Sequence, residues 1–328
     1  MASTVRPLIT IAIPTYNRAD SYLRGAIKSA LDQTYPNIEV IVSDNCSTDQ
    51  TEMIVKNFTD ARVRYFRQAR NIGPNKNFNF CVEQACGEYF LLLQDDDLID
   101  PDFVQVCMEA AGYRTGIGII RTGTRIIDAG GNILRELPNR AVGLSTIDFF
   151  LAWFSYQTSP YLCSTLLNTR RLREMGGFKS KNNLFQDVVA EFRLAHEFGR
   201  VDIQDLKASF RKHPSENTFA VKVKDWCEDS LYLLDVMCEL EPEHDALLRS
   251  AGKRFFFHLN YNKAQVIRSP VQRFMAYLTV FEKFDYPYSP IPFLIDKNPR
   301  MRRIKLLIKT EVEHVLARLG AWRSERIA

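Results

Sequence analysis

The chain has 328 residues, 46% of them apolar and 25% charged, a mixture that excludes a disordered or fibrous protein. The longest apolar stretch near a plausible span, Phe149–Phe154, falls far short of the roughly 20 residues a bilayer crossing needs, and Met1–Arg6 shows no secretory leader. The formal charge of +4 belongs to the tail: residues 297–328 hold nine Lys or Arg against three Asp or Glu, which leaves residues 1–296 at −2, without the basic body that nucleic-acid binding requires. Seven cysteines, at 46, 81, 86, 107, 163, 227 and 238, include no C-x-x-C pair and read as reduced thiols of a cytoplasmic protein rather than a disulfide frame or zinc site.

In chain order, Leu8–Ile13 reads as a buried strand, and Ser21–Gln33 places Leu23, Ile27, Ala30 and Leu31 on one helical face. Ile38–Ser43 is the next strand; Ser47 with Gln50 three residues later predicts a capping-box start for a helix through Phe58. A strand at Val63–Arg67, a helix at Lys76–Ala85, a strand at Tyr89–Leu93, a helix at Asp102–Ala111 and a strand at Ile117–Arg121 continue the alternation. Such alternation predicts an α/β fold with a mainly parallel sheet flanked by helices. Thr124–Asp128 and Ile133–Glu136 flank a turn-rich AGGN, predicting a hairpin, and Ile147–Phe154 reads as an aromatic helix. Tyr161–His213 mixes short strands with two helical pieces and extends the same domain. From about Asn217 strand signals fade, and helices are expected at Trp226–Leu240, Asp245–Val266, Val271–Phe284 and, after the proline-rich Asp285–Pro292, at Met301–Leu319. The expected division is a first domain over 1–215 and a helical region with a basic tail over 216–328.

In sheets of this kind, ligands sit at the carboxyl ends of the strands. Three polar clusters fall there: Pro14–Arg18, Asp44–Asp49 and Gln94–Asp97. Carboxylates crowded like Asp95, Asp96 and Asp97 repel one another unless a cation lies among them, and Mg2+ or Mn2+ is usually held by one or two carboxylates plus substrate phosphates. The same triplet would also serve to cap the helix near Pro101 or lie in a solvated turn. No G-x-G-x-x-G follows the first strand, and there is no P-loop, zinc-protease helix or G-x-S-x-G elbow, so hydride transfer, nucleotide hydrolysis by a P-loop and serine hydrolysis lose their support.

Five segments in order, IAIPTYNR (11–18), VSDNCSTD (42–49), NIG (71–73), GEYFLLLQDDD (87–97) and Pro101-Asp102, together resemble glycosyltransferase family two, of the GT-A fold, over roughly residues 7–215. The resemblance implies a Rossmann-like, mainly parallel sheet with a helical C-terminal extension. It also implies inverting transfer of a sugar from a UDP- or dTDP-sugar to an acceptor hydroxyl, in bacterial surface polysaccharide or glycolipid assembly. Pro14, Thr15, Tyr16 and Arg18 would contact the nucleotide, Asp44 the base, and Asn71, Gln94 and Asp95 the donor. Asp96 falls at the usual metal position, with Asp97 and His213 beside it and Mn2+ or Mg2+ as cofactor. Asp187, after MGGF (175–178), matches the family's catalytic base, although a lone aspartate opening a helix would equally serve as its N-cap. His213 lies in FRKHP (210–214), which would otherwise be an exposed basic turn.

The chain departs from the family at Asn45-Cys46, Gln94 and Gln186, where Asp-Gly, Asp and Glu are more usual. Loss of the acid at Gln186 removes a neighbouring charge and favours an ionised Asp187. A nucleotidyltransferase would need a glycine-rich phosphate loop where PTYN stands, and a catalytically silent nucleotide-sugar-binding scaffold is the other alternative. Expected partners are the nucleotide-sugar donor and a saccharide or lipid-linked acceptor, with no nucleic acid. Arg300, Arg302, Arg303, Lys305 and Lys309 beside Ile304, Leu307 and Ile308 leave two readings of the tail open. It would lie on an anionic bilayer at the inner face of the cell membrane, or pack on the body or on a second copy in a homo-oligomer.

Overall fold

The computed structural model describes residues 6–19, 22–213 and 222–284. The chain divides into two compact units, Met1–Leu259 and Asn260–Ala328. The expected segments Asp285–Pro292 and Met301–Leu319 lie outside the described residues.

The first unit opens with the predicted alternation: β1 (Ile9–Thr15), α1 (Leu23–Leu31), β2 (Ile38–Asp44), α2 (Thr51–Lys56), β3 (Val63–Arg67), α3 (Pro74–Gln84) and β4 (Tyr89–Leu92). Every residue of β1, β2 and β4 is buried, which is what a strand covered on both faces requires and why these segments read as unbroken apolar runs. Then come β5 (Leu98–Ile99), α4 (Phe103–Ala110), β6 (Ile119–Ile127), β7 (Ile133–Leu137), α5 (Thr146–Phe154), β8 (Thr165–Asn168) and α6 (Thr169–Glu174). The remaining elements are α7 (Gln186–Phe198), β9 (Arg200–Arg211), α8 (Val223–Leu240), α9 (Asp245–Gln265) and α10 (Pro270–Lys283). In the second unit, Tyr261 stacks on Tyr277 at 4.4 Å. No helix among the described residues is long and apolar enough to cross a membrane.

One nine-stranded sheet runs in the order β3-β2-β1-β4-β8-β6-β9-β5, with β7 off this path and paired with the later residues of β6, Thr124–Ile127. The β3-β2-β1-β4 half is parallel, β6 pairs β9 in parallel, and the other neighbours are antiparallel. Thr15 pairs Asp44 and Ala12 pairs Leu92, so β1, β2 and β4 finish at one edge and deliver their polar turns together.

Three local expectations are corrected. The two strands expected at Ile117–Arg121 and Thr124–Asp128 are one strand, β6, because β9 pairs along its length and the register slips at Gly123. A Cβ on Gly123 would stand 2.9 Å from the Leu137 carbonyl oxygen, so the slip needs a residue without one. Strand β5 has only two residues and is held solely by pairing with Ala208 and Ser209, so no periodicity announces it. The Ser47/Gln50 capping box does not form: Ser47 Oγ accepts from the Asn17 backbone N–H at 2.8 Å, and Asp49 takes the Thr51 N–H at 3.0 Å instead.

The turn after β2 places Cys46 at φ +66°, a left-handed conformation that an L side chain adopts at a cost of about 1–2 kcal/mol. This is the position where the resembled family more usually carries glycine. Cys46→Gly is therefore expected to stabilise the protein by about 1 kcal/mol, read as a higher urea midpoint at unchanged slope; a lower midpoint would show that Cys46 is not strained.

Candidate functional site

The turn after β1 is shaped by α2. Asn17 takes φ +53°, its Oδ1 accepts the Thr48 N–H at 2.8 Å, and Thr51 Oγ1 and Asp49 Oδ2 accept the N–H groups of Arg18 (3.2 Å) and Ala19 (2.9 Å). These ties hold Tyr16, 43% exposed, at the mouth of a cleft of about 640 Å3. Its floor and walls include Pro14, Thr15, Arg18, Asn45, Asn71, Gln94, the Asp95–Asp97 run and Asp187.

Asp44 does not line the cleft. It is fully buried, with Oδ1 accepting the Ser47 N–H at 2.8 Å and Oδ2 accepting the Tyr65 hydroxyl at 2.7 Å; burial first, and then this bond, pushes that phenol's pKa up. Its neighbour Asn45 reaches the cleft instead, giving its amide to Asn71 Oδ1 at 3.0 Å and accepting the Ile72 N–H at 2.8 Å. Asp44, the residue expected at the base, thus lies behind the cleft lining, where Asn45 stands.

The three aspartates after β4 have separate surroundings. Burial pushes Asp95 up to about 6, the Arg18 guanidinium 3.4 Å away opposes this, and the Asp96 charge adds to it. Asp97 is raised well above the usual carboxylate range by burial and by Asp96; its Oδ1 accepts the Arg211 backbone N–H at 2.9 Å, and the Cys163 thiol bonds to it from β8's approach. Asp96 has its Oδ2 2.8 Å from His213 Nε2 and 3.9 Å from Arg18. The expected ligand set of Asp96, Asp97 and His213 therefore does not converge: among the described residues no cluster of three acidic, His or Cys side chains is arranged around one point. The physical reason is that Asp97 spends its carboxylate on β9 and Cys163. Asp96 and His213 alone face each other, and one carboxylate with one imidazole, completed by substrate phosphates and water, fits the donor set of Mn2+ or Mg2+.

Arg211 is the brace of this turn. It is 6% exposed, lies over the Tyr22 ring at 4.3 Å, and donates to the carbonyls of Asp96 (2.8 Å) and Asp128 (3.0 Å), joining the β4 turn to the β6–β7 hairpin.

Asp187 comes from α7. The MGGF segment is seated on α3, where Asn79 Oδ1 accepts the Phe178 N–H at 2.7 Å and Asn75 and Asn79 both donate to its carbonyl. Gly177, at φ +74°, is needed there: a Cβ would lie 2.1 Å from Asn79 Oδ1. Burial, with the Asp229 charge behind it, lifts the Asp187 carboxyl to about 6, partly offset by hydrogen bonds to the helix amides. Losing the acid at position 186 thus does not leave Asp187 at an ordinary value, because desolvation dominates. One turn on, Glu191 sits fully buried 3.6 Å from Arg121, whose other nitrogen reaches Thr158 Oγ1 (3.1 Å) and the Ser159 carbonyl (2.9 Å). That tie fixes the loop carrying Pro160, Tyr161 and Leu162 onto the cleft wall.

The structure therefore brings Pro14, Thr15, Tyr16, Arg18, Asn71, Gln94, Asp95, Asp96, Asp97 and Asp187 to one cleft, with His213 against Asp96. Sequence reasoning missed Asn45, Asn77, Phe78 and the 160–162 loop. The first lies one residue from Asp44, and the others carry no motif.

Residues 10–156 match the family described as Glycosyl transferase family 2. A curated relative from Campylobacter jejuni, named GalNAc(5)-diNAcBac-PP-undecaprenol beta-1,3-glucosyltransferase, is 33% identical over 177 residues, 51% of this chain and 55% of that protein. The chain thus spans about half the length of that relative, and 31% of an uncharacterized glycosyltransferase of Rickettsia felis to which it is 31% identical. Among solved structures, S. aureus TarS 1-349 in complex with UDP-GlcNAc superposes with a TM-score of 0.58 at 15% identity, over 84% of this chain and 89% of that one. Mannosyltransferase PcManGT from Pyrobaculum calidifontis, in complex with GDP-Man and Mn2+, gives 0.50 at 17% identity, over 91% and 83%. At such identities these two likenesses bear on the fold, which is the GT-A arrangement with added C-terminal helices.

Removing the Arg211 side chain strands two backbone carbonyls at the turn. Arg211→Ala is expected to lose about 3 kcal/mol of stability in urea denaturation, and Arg211→Lys most of that, since an ammonium cannot span both oxygens. A loss under about 0.5 kcal/mol, the range of ordinary surface substitutions, would exclude the bracing role.

Proposed function

Because residues 10–156 match glycosyl transferase family 2, we propose that the chain is an inverting glycosyltransferase, moving a sugar from a UDP- or dTDP-linked donor to an acceptor hydroxyl in bacterial surface polysaccharide or glycolipid assembly. The observation that carries this reading is one cleft holding the Asp96–His213 pair and a raised carboxyl, Asp187, contributed by different elements. The Campylobacter relative's name includes PP-undecaprenol, which supports a lipid-linked acceptor and a peripheral position at the inner face of the cell membrane.

Residues 1–215 form the catalytic unit in this reading, and helices α8, α9 and α10 come after it in the chain. The Pro14–Arg18 turn and Asn45 receive the nucleotide, with the exposed Tyr16 ring offering a face to the base and Arg18 a charge to the phosphates. Asp96 and His213 would hold a divalent cation, which would supply charge stabilisation to a departing diphosphate. Asp187 orients the acceptor hydroxyl and takes its proton as the oxygen attacks the anomeric carbon, while the bond from that carbon to the diphosphate oxygen breaks on the opposite face. Gln94 and Gln186 flank this path with neutral amides that can bond sugar hydroxyls without adding charge.

A panel of UDP- and dTDP-sugars, scored by thermal stabilisation with and without Mn2+, identifies the donor. With it, Asp187→Asn is expected to lower kcat by about 10²–10⁴-fold at near-parental donor KM; transfer at the parental rate would exclude the base role. A base must be ionised, and burial lifts Asp187 to about 6, so the rate should fall as pH drops through about 6 and hold above it. In calorimetry, Asp96→Asn should abolish the Mn2+-dependent part of donor affinity; retention of that part would remove Asp96 from the cation site.

A further inference from the structure

Gln186 and Asp187 are the first two residues of α7, so the loop before them decides where the Asp187 carboxyl stands. The helix receives no help from its own N-cap side chain, Phe185, which cannot accept a hydrogen bond. The acceptor comes from elsewhere. Asp229, on α8 and fully buried, accepts the Asn182 N–H on Oδ1 at 2.6 Å. Its Oδ2 accepts the Ser180 hydroxyl (2.7 Å), the Leu184 N–H (2.9 Å) and the Phe185 N–H (2.7 Å). Four donors from six consecutive residues thus converge on one carboxylate, about the full capacity of such a group. Neighbours on α8 complete the mould: Asn182 donates its side-chain amide to the Asp225 carbonyl at 3.0 Å, and the Phe185 ring meets Trp226 edge-on at 5.4 Å.

We infer that Asp229 is a positioning residue for the Asp187 carboxylate, anchoring the 180–185 loop so that α7 begins at the cleft; the inference rests on the base role proposed above. Asp229 lies beyond residues 10–156, so the helical region supplies part of the working site rather than an appendage to it. The anchor also carries charge. The groups around Asp187 are Glu191 on its own helix, Arg121 of β6 behind Glu191, Asp229 on α8, and Arg18, Arg211 and the Asp95–Asp97 run sharing the cleft; Glu228 of α8 is engaged by Lys181. Asp229 adds to burial in disfavouring the ionised form of Asp187.

The test uses the full chain with Asp229→Asn, which sets an amide N–H2 among N–H donors. Hydrogen–deuterium exchange is expected to quicken about tenfold or more across 180–187 and to stay parental in β1 and β2. With the donor found in the panel, kcat should fall roughly 10–100-fold while KM for the donor stays within about threefold, as for a misplaced reacting group. The acid limb of the pH profile should move to lower pH, because a negative charge beside Asp187 is gone. Lys181→Ala, which removes an exposed pair on the same loop, serves as the control and should match the parent in all three. Should Asp229→Asn not accumulate folded, Ser180→Ala keeps the carboxylate and removes one donor, and should show the faster exchange in smaller measure with the limb unmoved. Parental exchange over 180–187 in these variants, or a parental kcat and limb in Asp229→Asn, would overturn the inference. An inactive Asp187→Asn beside a parental Asp229→Asn sinks this inference alone; a parental Asp187→Asn sinks the base role and this one with it.

Discussion

Three consecutive carboxylates at the end of a buried strand cannot all stay charged in water-poor surroundings without partners, and the rest of the site is arranged around that problem. The structure gives each a different answer. Asp95 lies against Arg18, Asp96 against His213, and Asp97 is sealed beneath β9 by the Arg211 N–H and the Cys163 thiol. Arg211 then fastens the turn itself, its guanidinium bonded to backbone carbonyls rather than to the acids. The result is that one carboxylate of the three, Asp96, lines the cleft with an imidazole against it.

The other half of the site obeys the opposite logic. Asp187 stands where an apolar region has been built around the start of α7: Phe185 packs near Trp153, Trp226 and Phe256, and Phe192 stacks on Phe150 at 4.6 Å. Burial at this place raises the Asp187 carboxyl to about 6. Such a hydrophobic seat has no polarity of its own to orient the loop, so the orientation comes from the single buried carboxylate of Asp229. Likewise the wall opposite is oriented by Arg121, which lies over Phe149 at 4.9 Å and reaches Thr158 Oγ1 and the Ser159 carbonyl. Buried charge and aromatic surface thus alternate around the cleft, the one giving direction and the other excluding solvent.

What could be read from the chain and what could not divide along sequence separation. Val63–Arg67 is legible to the residue because its β-branched and aromatic residues, Val63, Tyr65 and Phe66, signal a strand locally. Strand β5 is illegible because its two residues become a strand only by meeting Ala208 and Ser209, more than a hundred positions away. The same holds inside the site. Ser47 looks like a helix cap from its neighbours but is claimed by Asn17, 30 residues earlier.

The sequence by itself determined the α/β alternation, the three polar turns at the strand ends and the candidate acids, since each follows from local periodicity or from residues adjacent in the chain. Only the tertiary structure decided which acids face the cleft. Asp44 lies behind the cleft lining, bonded to Tyr65, while Asn45 lines it; Asp97 lines it with its carboxylate taken up by the Arg211 N–H; and Asp229 governs α7 from a helix 42 residues further along. The reason is physical: whether a carboxylate is free for chemistry depends on which donors and which low-dielectric surface are packed against it, and those come from distant parts of the chain.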